Sequence, residues 1–267
     1  MSFNEVRFLI FFGVFFLMLF LERRIPRHSL VDSKPRRLGV NLSIIVLDIA
    51  VARLVLGTAA VGASLFTQER GWGLLNYLDL PFWLEFLASV IFFDLMIYIQ
   101  HVLTHWIPFF WRFHVVHHSD LDLDVSSGLR FHPIEIIGSG LYKMGLVLMM
   151  GPDPISVIAF EAILNGMAQF TNSNIKLPDW LDRVFRWGIV TPDMHRIHHS
   201  VEARETNSNY GFNLSVWDRL LGTYLPDASK AQPEIVIGIS AYRKPEDVSG
   251  LLLMPFYKVP LNMPQTG

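Results

Sequence analysis

The sequence predicts an all-α protein, an integral membrane helical bundle with a cytoplasmic, histidine-rich cap that binds two metal ions. Three observations predict this fold class. Apolar residues make up 51% of the 267-residue chain and charged residues only 17%, whereas soluble domains carry about 25% charged residues. Several apolar stretches approach or exceed the roughly 20 residues that a transmembrane helix needs. Eight of the ten histidines fall in three short clusters.

These histidine clusters carry the main functional signal. Two lie in HVLTHWIPFFWRFHVVHH at 101–118, and the third is HRIHH at 195–199. At about 100° per residue, histidines spaced i, i+3 and i+4 share one side of a helix. Clustered imidazoles need hydrogen-bond partners and repel one another when protonated, and a shared metal removes both costs. We therefore predict as metal ligands His101, His105, His114, His117, His118, His195, His198 and His199.

The number and type of candidate ligands limit the kind of site. Eight imidazoles predict two metal ions, because one zinc takes only three or four protein ligands. Imidazole binds iron, zinc and copper, so spacing alone does not select the metal. The chain has no cysteine, which excludes disulfides, thiolate sites and a cysteine nucleophile. Its net charge of −2 argues against a nucleic-acid partner.

We assign residues 1–267 to one membrane-embedded domain, with a first span at about residues 3–21. Basic residues follow this apolar run, which is the reverse of a cleaved signal peptide. The loop 22–37 carries six lysines and arginines, so the positive-inside rule places it in the cytoplasm. Binding of this loop to anionic lipid is compatible with the same topology.

Two further spans are predicted at about residues 38–66 and 81–105. Asp48 and Arg53 lie inside the first of these, and we interpret them as a mutual ion pair rather than a catalytic group, because charges in lipid are costly. On the second, Asp94 and Tyr98 share the side that carries the first histidine cluster. They are candidates to hold a ligand histidine in place, or ordinary buried polar residues.

The segment 134–170 predicts a short hairpin, because Gly151-Pro152-Asp153-Pro154 separates two apolar stretches. The hairpin crosses the bilayer or dips in and returns, and both alternatives bring the third histidine cluster to the cytoplasmic side. The cap then comprises residues 106–133 and 171–267. Within it, aromatic and basic residues predict an amphipathic piece at the membrane interface, namely Trp180, Arg183, Phe185, Arg186 and Trp187.

Five motifs surround the histidines. They are D-x3-Y-x2-H-x3-H at 94–105, W-R-F-H-x2-H-H-S at 111–119, R-F-H-P at 130–133, T-P-x2-H-R-x-H-H-S at 191–200 and N-Y-G…W-D-x-L-x-G-T at 209–223. Together they resemble the sterol desaturase and fatty acid hydroxylase superfamily of membrane di-iron oxygenases. The resemblance extends from about Asp94 to Thr223.

One position departs from the family pattern. Relatives carry a further histidine in F-x-H-x-N-x-x-L-P, whereas this chain reads FTNSNIKLP at 170–178, with Asn172 at the ligand position. Because an amide oxygen is a weaker and harder ligand than imidazole, we expect one metal to be held less tightly or to keep an open position. Further candidates for a ligand, or for a partner of one, are His132, Glu135 and Asp193. The alternative for the two carboxylates is a helix end or loop in water.

The resemblance implies that two irons use O2 to hydroxylate or desaturate a membrane lipid at the cytoplasmic face. The lipid is a sterol, a fatty acyl chain or a related apolar substrate. No catalytic residue is indicated beyond the metal ligands. Electrons would come from an external ferredoxin or small cytochrome with its reductase, since the chain has no glycine-rich dinucleotide motif. Overexpression would also load such imidazole sites with zinc.

Two other classes of protein stay open. A metal transporter is also apolar and rich in histidine, but it would line its spans with ligands from both faces, whereas these clusters gather on one. A non-catalytic or repurposed metal- or lipid-binding relative would keep the spans and lose ligands, as Asn172 hints. Hydroxylation and desaturation share ligands, so the sequence does not distinguish them.

Overall fold

The computed structural model describes residues 3–57 and 59–257. Within these residues the structure contains helices, loops and isolated β-bridges but no strands, which confirms the all-α fold class. The α-helices of this part of the chain are α1 (Phe3–Arg24), α2 (Lys34–Leu56), α3 (Ala59–Arg70), α4 (Leu74–Leu78), α5 (Phe82–Trp106), α6 (Pro108–His118), α7 (Pro133–Met150), α8 (Pro154–Asn172), α9 (Asp179–Phe185), α10 (Pro192–His198), α11 (Ala203–Thr206), α12 (Val216–Leu220) and α13 (Val248–Leu253). Short 3-10 helices lie at Ser127–Leu129, Gln232–Glu234 and Met254–Phe256.

Three described stretches are long and apolar enough to cross a membrane, namely Lys34–Leu78, Phe82–Trp106 and Pro133–Met150. The first contains α2, α3 and α4, and the other two are α5 and α7. Helix α1 is not in this set, although it occupies the predicted first span and exposes a row of rings at Phe8, Phe12, Phe16 and Phe20. A crossing by α1, and the cytoplasmic placement of the cap, stay predictions.

The predicted second span, about 38–66, is not one continuous helix. Helix α2 ends at Leu56, Gly57 takes a φ of 60°, and α3 begins at Ala59. The predicted ion pair within it is wrong. Asp48 is buried with neither carboxylate oxygen hydrogen-bonded to a described residue, whereas Arg53 is exposed. Residues five apart on a helix are separated by roughly 140°, so the two side chains leave α2 on different sides.

The long helices place the histidine clusters at one end of the bundle. The turn between α7 and α8 lies at the other end, where Ser64 donates to the Pro152 carbonyl at 2.6 Å. At the same end, the Asp153 N–H donates to Glu85 in the first turn of α5 at 2.5 Å. From Glu85 to His105, α5 rises about 30 Å at 1.5 Å per residue. The hairpin turn and the histidines are therefore separated by most of the bundle's length.

Apolar packing fixes α5 and α6, which carry five of the histidines. On α5, the Phe93 ring packs against Phe160 of α8 with centroids 5.4 Å apart, beside Val147 of α7. On α6, buried Trp111 joins a cluster that includes Ile44 of α2. Burying one such side chain stabilises the fold by about 2–3 kcal/mol. Apolar packing therefore holds both helices in place independently of any bound metal.

Candidate metal centre

Local sequence signals position the helices that carry the predicted ligands. Helix α6 begins at Pro108, whose fixed φ and missing N–H suit a first helical turn. Helix α10 also begins with proline, and the Thr191 hydroxyl caps it by accepting the Met194 N–H at 3.3 Å. With the last turns of α5, these helices bring the three histidine clusters into contact.

The eight histidines form two groups. Five of them have ligand nitrogens within 4.8 Å of one another, and these are His101, His105, His114, His118 and His198. The remaining three, His117, His195 and His199, form the second group on the same criterion. All eight are buried. The groups adjoin, because the His118 and His199 rings stack with centroids 4.3 Å apart.

Hydrogen bonds outside the clusters fix the orientation of three rings in the five-histidine group. His101 Nδ1 lies 2.7 Å from the Tyr210 carbonyl, and His198 Nδ1 lies 2.7 Å from the Ser208 carbonyl. His114 Nδ1 lies 2.7 Å from Glu135 Oε1. A carbonyl or carboxylate oxygen can only accept, so each Nδ1 carries the proton and each Nε2 keeps its lone pair for a metal.

The inward nitrogens fit a metal cation. The Nε2 atoms of His101 and His198 face each other at 3.1 Å, which brings two lone pairs together. Both ring nitrogens of His105 and of His118 are buried without a hydrogen-bond partner among the described residues. A buried polar atom left unpaired costs about 1–3 kcal/mol, and a cation held among these rings would satisfy the donor set.

Burial also keeps imidazoles of the cap in the form that binds metal. Burial first, and then the proximity of other histidines, lowers the pKa of His117, His118 and His199 well below the ordinary value. The same two causes lower the pKa of His195 and His198. These rings are therefore neutral near pH 7, so no proton has to leave before a metal binds.

A buried ionic cluster fixes the loop after α6. Arg37 of α2 contacts Asp120 through both terminal nitrogens and Asp124 through Nε at 2.9 Å. Arg130 donates to the Val116 carbonyl at 3.0 Å and to the Ser119 hydroxyl at 2.9 Å. These contacts hold the chain on both sides of His117 and His118. The Phe131 ring also stacks on His117 at 4.6 Å.

The other predicted site residues divide by their contacts, and among them Glu135 contacts a predicted ligand, His114. Asp94 accepts the Trp217 indole N–H at 2.7 Å, and Tyr98 bonds Thr223 at 2.8 Å. Asp193 pairs with Arg27 at 2.9 Å. These contacts tie distant segments together outside both histidine groups.

His132 belongs to neither histidine group, and Asn172 is buried at the end of α8. His132 caps α7, where its Nδ1 accepts the Ile134 N–H at 3.1 Å and its Nε2 lies 3.2 Å from the Leu252 carbonyl. Asn172, the last residue of α8, donates to the Ala168 carbonyl at 2.9 Å. Its buried Oδ1 has no hydrogen-bond partner among the described residues. That atom keeps Asn172 a candidate for a further ligand.

Sequence reasoning missed the groups that hold the ligands from outside. The carbonyls of Tyr210 and Ser208 carry no side-chain signature, although the N-Y-G motif at 209–211 marks the segment. Arg37 belongs to the basic loop 22–37. The positive-inside rule explains the charge of that loop without requiring an acidic partner for Arg37. A signal was present in the alternating Asp120, Asp122 and Asp124, since buried acids need a cation.

The chain is similar to a known protein family and to proteins of known function. A family model described as fatty acid hydroxylase matches residues 86–223, just over half of the chain. An ornithine lipid hydroxylase from Rhizobium tropici is 34% identical over 151 residues, 54% of this chain and 43% of its own length. An alkylglycerol monooxygenase from Xenopus tropicalis is 28% identical over 222 residues, 81% of this chain and 47% of its own.

A third relative is also a hydroxylase. The cholesterol 25-hydroxylase of Homo sapiens is 26% identical over 142 residues, 51% of this chain and 50% of its own. The chain thus spans about half or less of the length of these relatives. No solved structure matches significantly. The matched segment contains all eight clustered histidines, and the chain belongs to the fatty acid hydroxylase family.

Proposed function

We propose that this protein is a membrane enzyme that hydroxylates a lipid with O2 at two irons held by the eight clustered histidines. The observation that supports it most is the convergence of two groups of buried imidazoles at one end of an apolar helical bundle. The named relatives are hydroxylases and monooxygenases of lipids, which favours hydroxylation over desaturation. Ligands gathered at one end also argue against a transporter, which needs them along its spans.

In this proposal the metal ligands are His101, His105, His114, His118 and His198 at one iron, and His117, His195 and His199 at the other. Asn172 is the candidate to complete the three-histidine site, through its unpaired Oδ1. When bound, the two irons would supply O2 activation and oxidation of a C–H bond. The overall reaction combines a C–H bond, O2, two electrons and two protons to give an alcohol and water.

In this reaction the protein's own residues orient the ligand histidines and shield the metal site from water. Glu135, Tyr210 and Ser208 fix the tautomer and tilt of their histidines. Trp111 lies against His105 and His118, with centroids 4.9 and 5.3 Å away, and closes the five-histidine site on that side against water. A lipid chain would reach the site from the bilayer. The two electrons would come from an external ferredoxin or small cytochrome with its reductase.

The topology in this proposal places the metal centre at the cytoplasmic side. The basic loop 22–37 leads from α1 into α2 beside the cap, because Arg37 contacts Asp120 and the Arg27 N–H donates to the Asn174 carbonyl at 3.0 Å. Loops rich in Lys and Arg stay in the cytoplasm. A labelling reagent that cannot cross membranes would test this by reacting with an introduced cysteine in the loop only after the inner face is opened.

The activity is tested by co-expressing the chain with a ferredoxin and its reductase under ¹⁸O2 and analysing host lipids by mass spectrometry. Hydroxylation predicts a lipid that gains one ¹⁸O atom and is absent with His118→Ala. Loss of two hydrogens without label would instead indicate desaturation. Unchanged lipids from a metal-loaded protein supplied with electrons would contradict an oxygenase acting on those lipids.

A further inference from the structure

One side of α5 changes its surroundings along its length. Leu84, Leu87 and Ile91 are exposed. Continuing on the same side, within an arc of about 100°, Asp94 and Tyr98 are buried, and the ligands of the metal centre follow. Because α5 is a candidate membrane span, its exposed apolar stripe faces lipid and ends abruptly at Asp94.

The segment around α12 covers this side of α5 from Asp94 onward. The Trp217 indole N–H donates to Asp94 at 2.7 Å, and Thr223 bonds Tyr98 at 2.8 Å. The Leu214 N–H reaches the same Asp94 carboxylate at 3.3 Å. Asp94 lies about 18 Å along α5 from either end of the helix. The segment therefore reaches half-way down a helix that is long enough to cross the membrane.

The outer surface of this segment is apolar and continuous with the neighbouring α9. Leu220 is 69% exposed and Trp187 is 74% exposed. They are adjacent, because Arg219 stacks over the Trp187 ring at 4.8 Å and donates to the Arg186 carbonyl at 2.7 Å. Two more exposed apolar residues, Trp180 and Val184, lie one helical turn apart on α9, and Trp187 follows in the turn after that helix.

We propose that this surface, formed by Trp180, Val184, Trp187, Leu220 and Leu221 and here named the lipid face, is embedded among the acyl chains of the membrane. The bilayer is the occupant that the geometry favours, because the lipid face begins where the exposed stripe of α5 ends. An exposed patch of tryptophan, valine and leucine side chains also suits a bilayer, where such apolar and aromatic side chains insert.

The inference adds a re-entrant contact to the predicted spans, and it does not depend on the catalytic activity. Two parts of the cap, one before and one after the third histidine cluster in the sequence, would be immersed in the membrane beside α5. The metal centre would then be shielded from water on that side by α12 and by lipid. A lipid substrate would meet the α12 side of α5 without leaving the bilayer.

The absence of cysteine makes the test direct, since one introduced cysteine labels one position. Leu220→Cys and Leu221→Cys are labelled with a small fluorophore and reconstituted in phosphatidylcholine vesicles. Ile91→Cys, on the exposed stripe of α5, is the control for lipid, and Lys230→Cys, on an exposed polar loop, is the control for water. Quenching is measured with lipids brominated on the acyl chain and with aqueous iodide.

The expected result is that the labels at 220 and 221 behave like the label at 91, with at least twofold stronger quenching by brominated lipid than the label at 230 and little by iodide. Labels at 220 and 221 that behave like the label at 230 would overturn the proposal, with a second protein as the occupant then to be sought. Unlabelled Trp187→Phe gives an independent measure that preserves the fold. Brominated lipid should quench less of its tryptophan fluorescence than of the parent's, and an unchanged quenched fraction would count against the lipid face.

Discussion

Arg37→Gln tests whether the ionic cluster beside the second histidine cluster holds the metal centre together. The Arg37 side chain is buried and contacts Asp120, Asp124 and the Ser127 hydroxyl, the last at 2.9 Å. Glutamine removes the charge and leaves three buried carboxylates, because Asp122 also lies 3.7 Å from Arg37. Arg130 compensates only weakly, since its nearest nitrogen lies 3.8 Å from Asp120.

The expected loss of stability in Arg37→Gln follows from the charges that are buried around this residue. Burial raises the pKa of Asp120, but the charges of Arg37 and Arg130 outweigh it and lower this pKa from 3.8 to about 2. That shift corresponds to about 2 kcal/mol of stability. The unpaired Asp124 and the lost guanidinium hydrogen bonds bring the expected loss to about 3–5 kcal/mol, as for other broken buried pairs. A depressed acid pKa stabilises the fold above pH 4, and this stabilisation disappears as the pH falls toward 2.

The neighbouring Arg36 provides the matched control. It is exposed, pairs with Asp32 at 2.5 Å and donates to the Pro245 and Glu246 carbonyls at 3.2 Å, all on the surface, where an ion pair contributes about 0–1 kcal/mol. The assay is denaturant unfolding of the purified protein in detergent at pH 7, with metal content measured on the same samples. Arg37→Gln should lower both stability and bound metal, whereas Arg36→Gln should change neither. Equal behaviour of the two variants would refute the reasoning.

Three further predictions concern the ligands and their partners. Glu135→Gln should weaken metal binding by about 10–100-fold, because His114 loses its anionic acceptor, and a competition titration with a chelator that shows parental affinity would contradict this. His132→Ala should lower stability by about 1 kcal/mol through loss of the α7 cap while leaving bound metal unchanged; loss of metal in this variant would instead make His132 a ligand. Removing metal with a chelator should lower the melting temperature, and added Fe²⁺ should restore it, because the metal-free clusters leave buried ring nitrogens unpaired; an unchanged melting temperature would show that the clusters do not bind metal in the folded protein.

Histidine spacing could predict which rings share a helix side, but not how they divide between two ions. His117 and His118 are adjacent in sequence and belong to different groups. Neighbouring residues on a helix diverge by about 100°, so the division depends on how α5, α6 and α10 pack. That packing arises from contacts distant in sequence, such as Trp111 with Ile44.

Two predictions about individual side chains could have been more specific from the sequence alone. The i, i+5 spacing of Asp48 and Arg53 already disfavours a pair on one helix side. His132 directly precedes Pro133 and an apolar run, so its position just before the start of α7, where it caps the helix, could also be read from the sequence. The break at Gly57 was not predictable in this way, because glycine is common inside membrane helices.

The central claim is that one chain holds two metal ions in two histidine groups, and metal stoichiometry tests it most directly. Total iron and zinc per chain are measured by elemental mass spectrometry on the purified protein, alongside His195→Ala, which removes one of the three proposed histidine ligands in the smaller group. The account predicts two ions per chain for the parent and one for the variant. A folded parent that holds one ion or none after iron loading would contradict it.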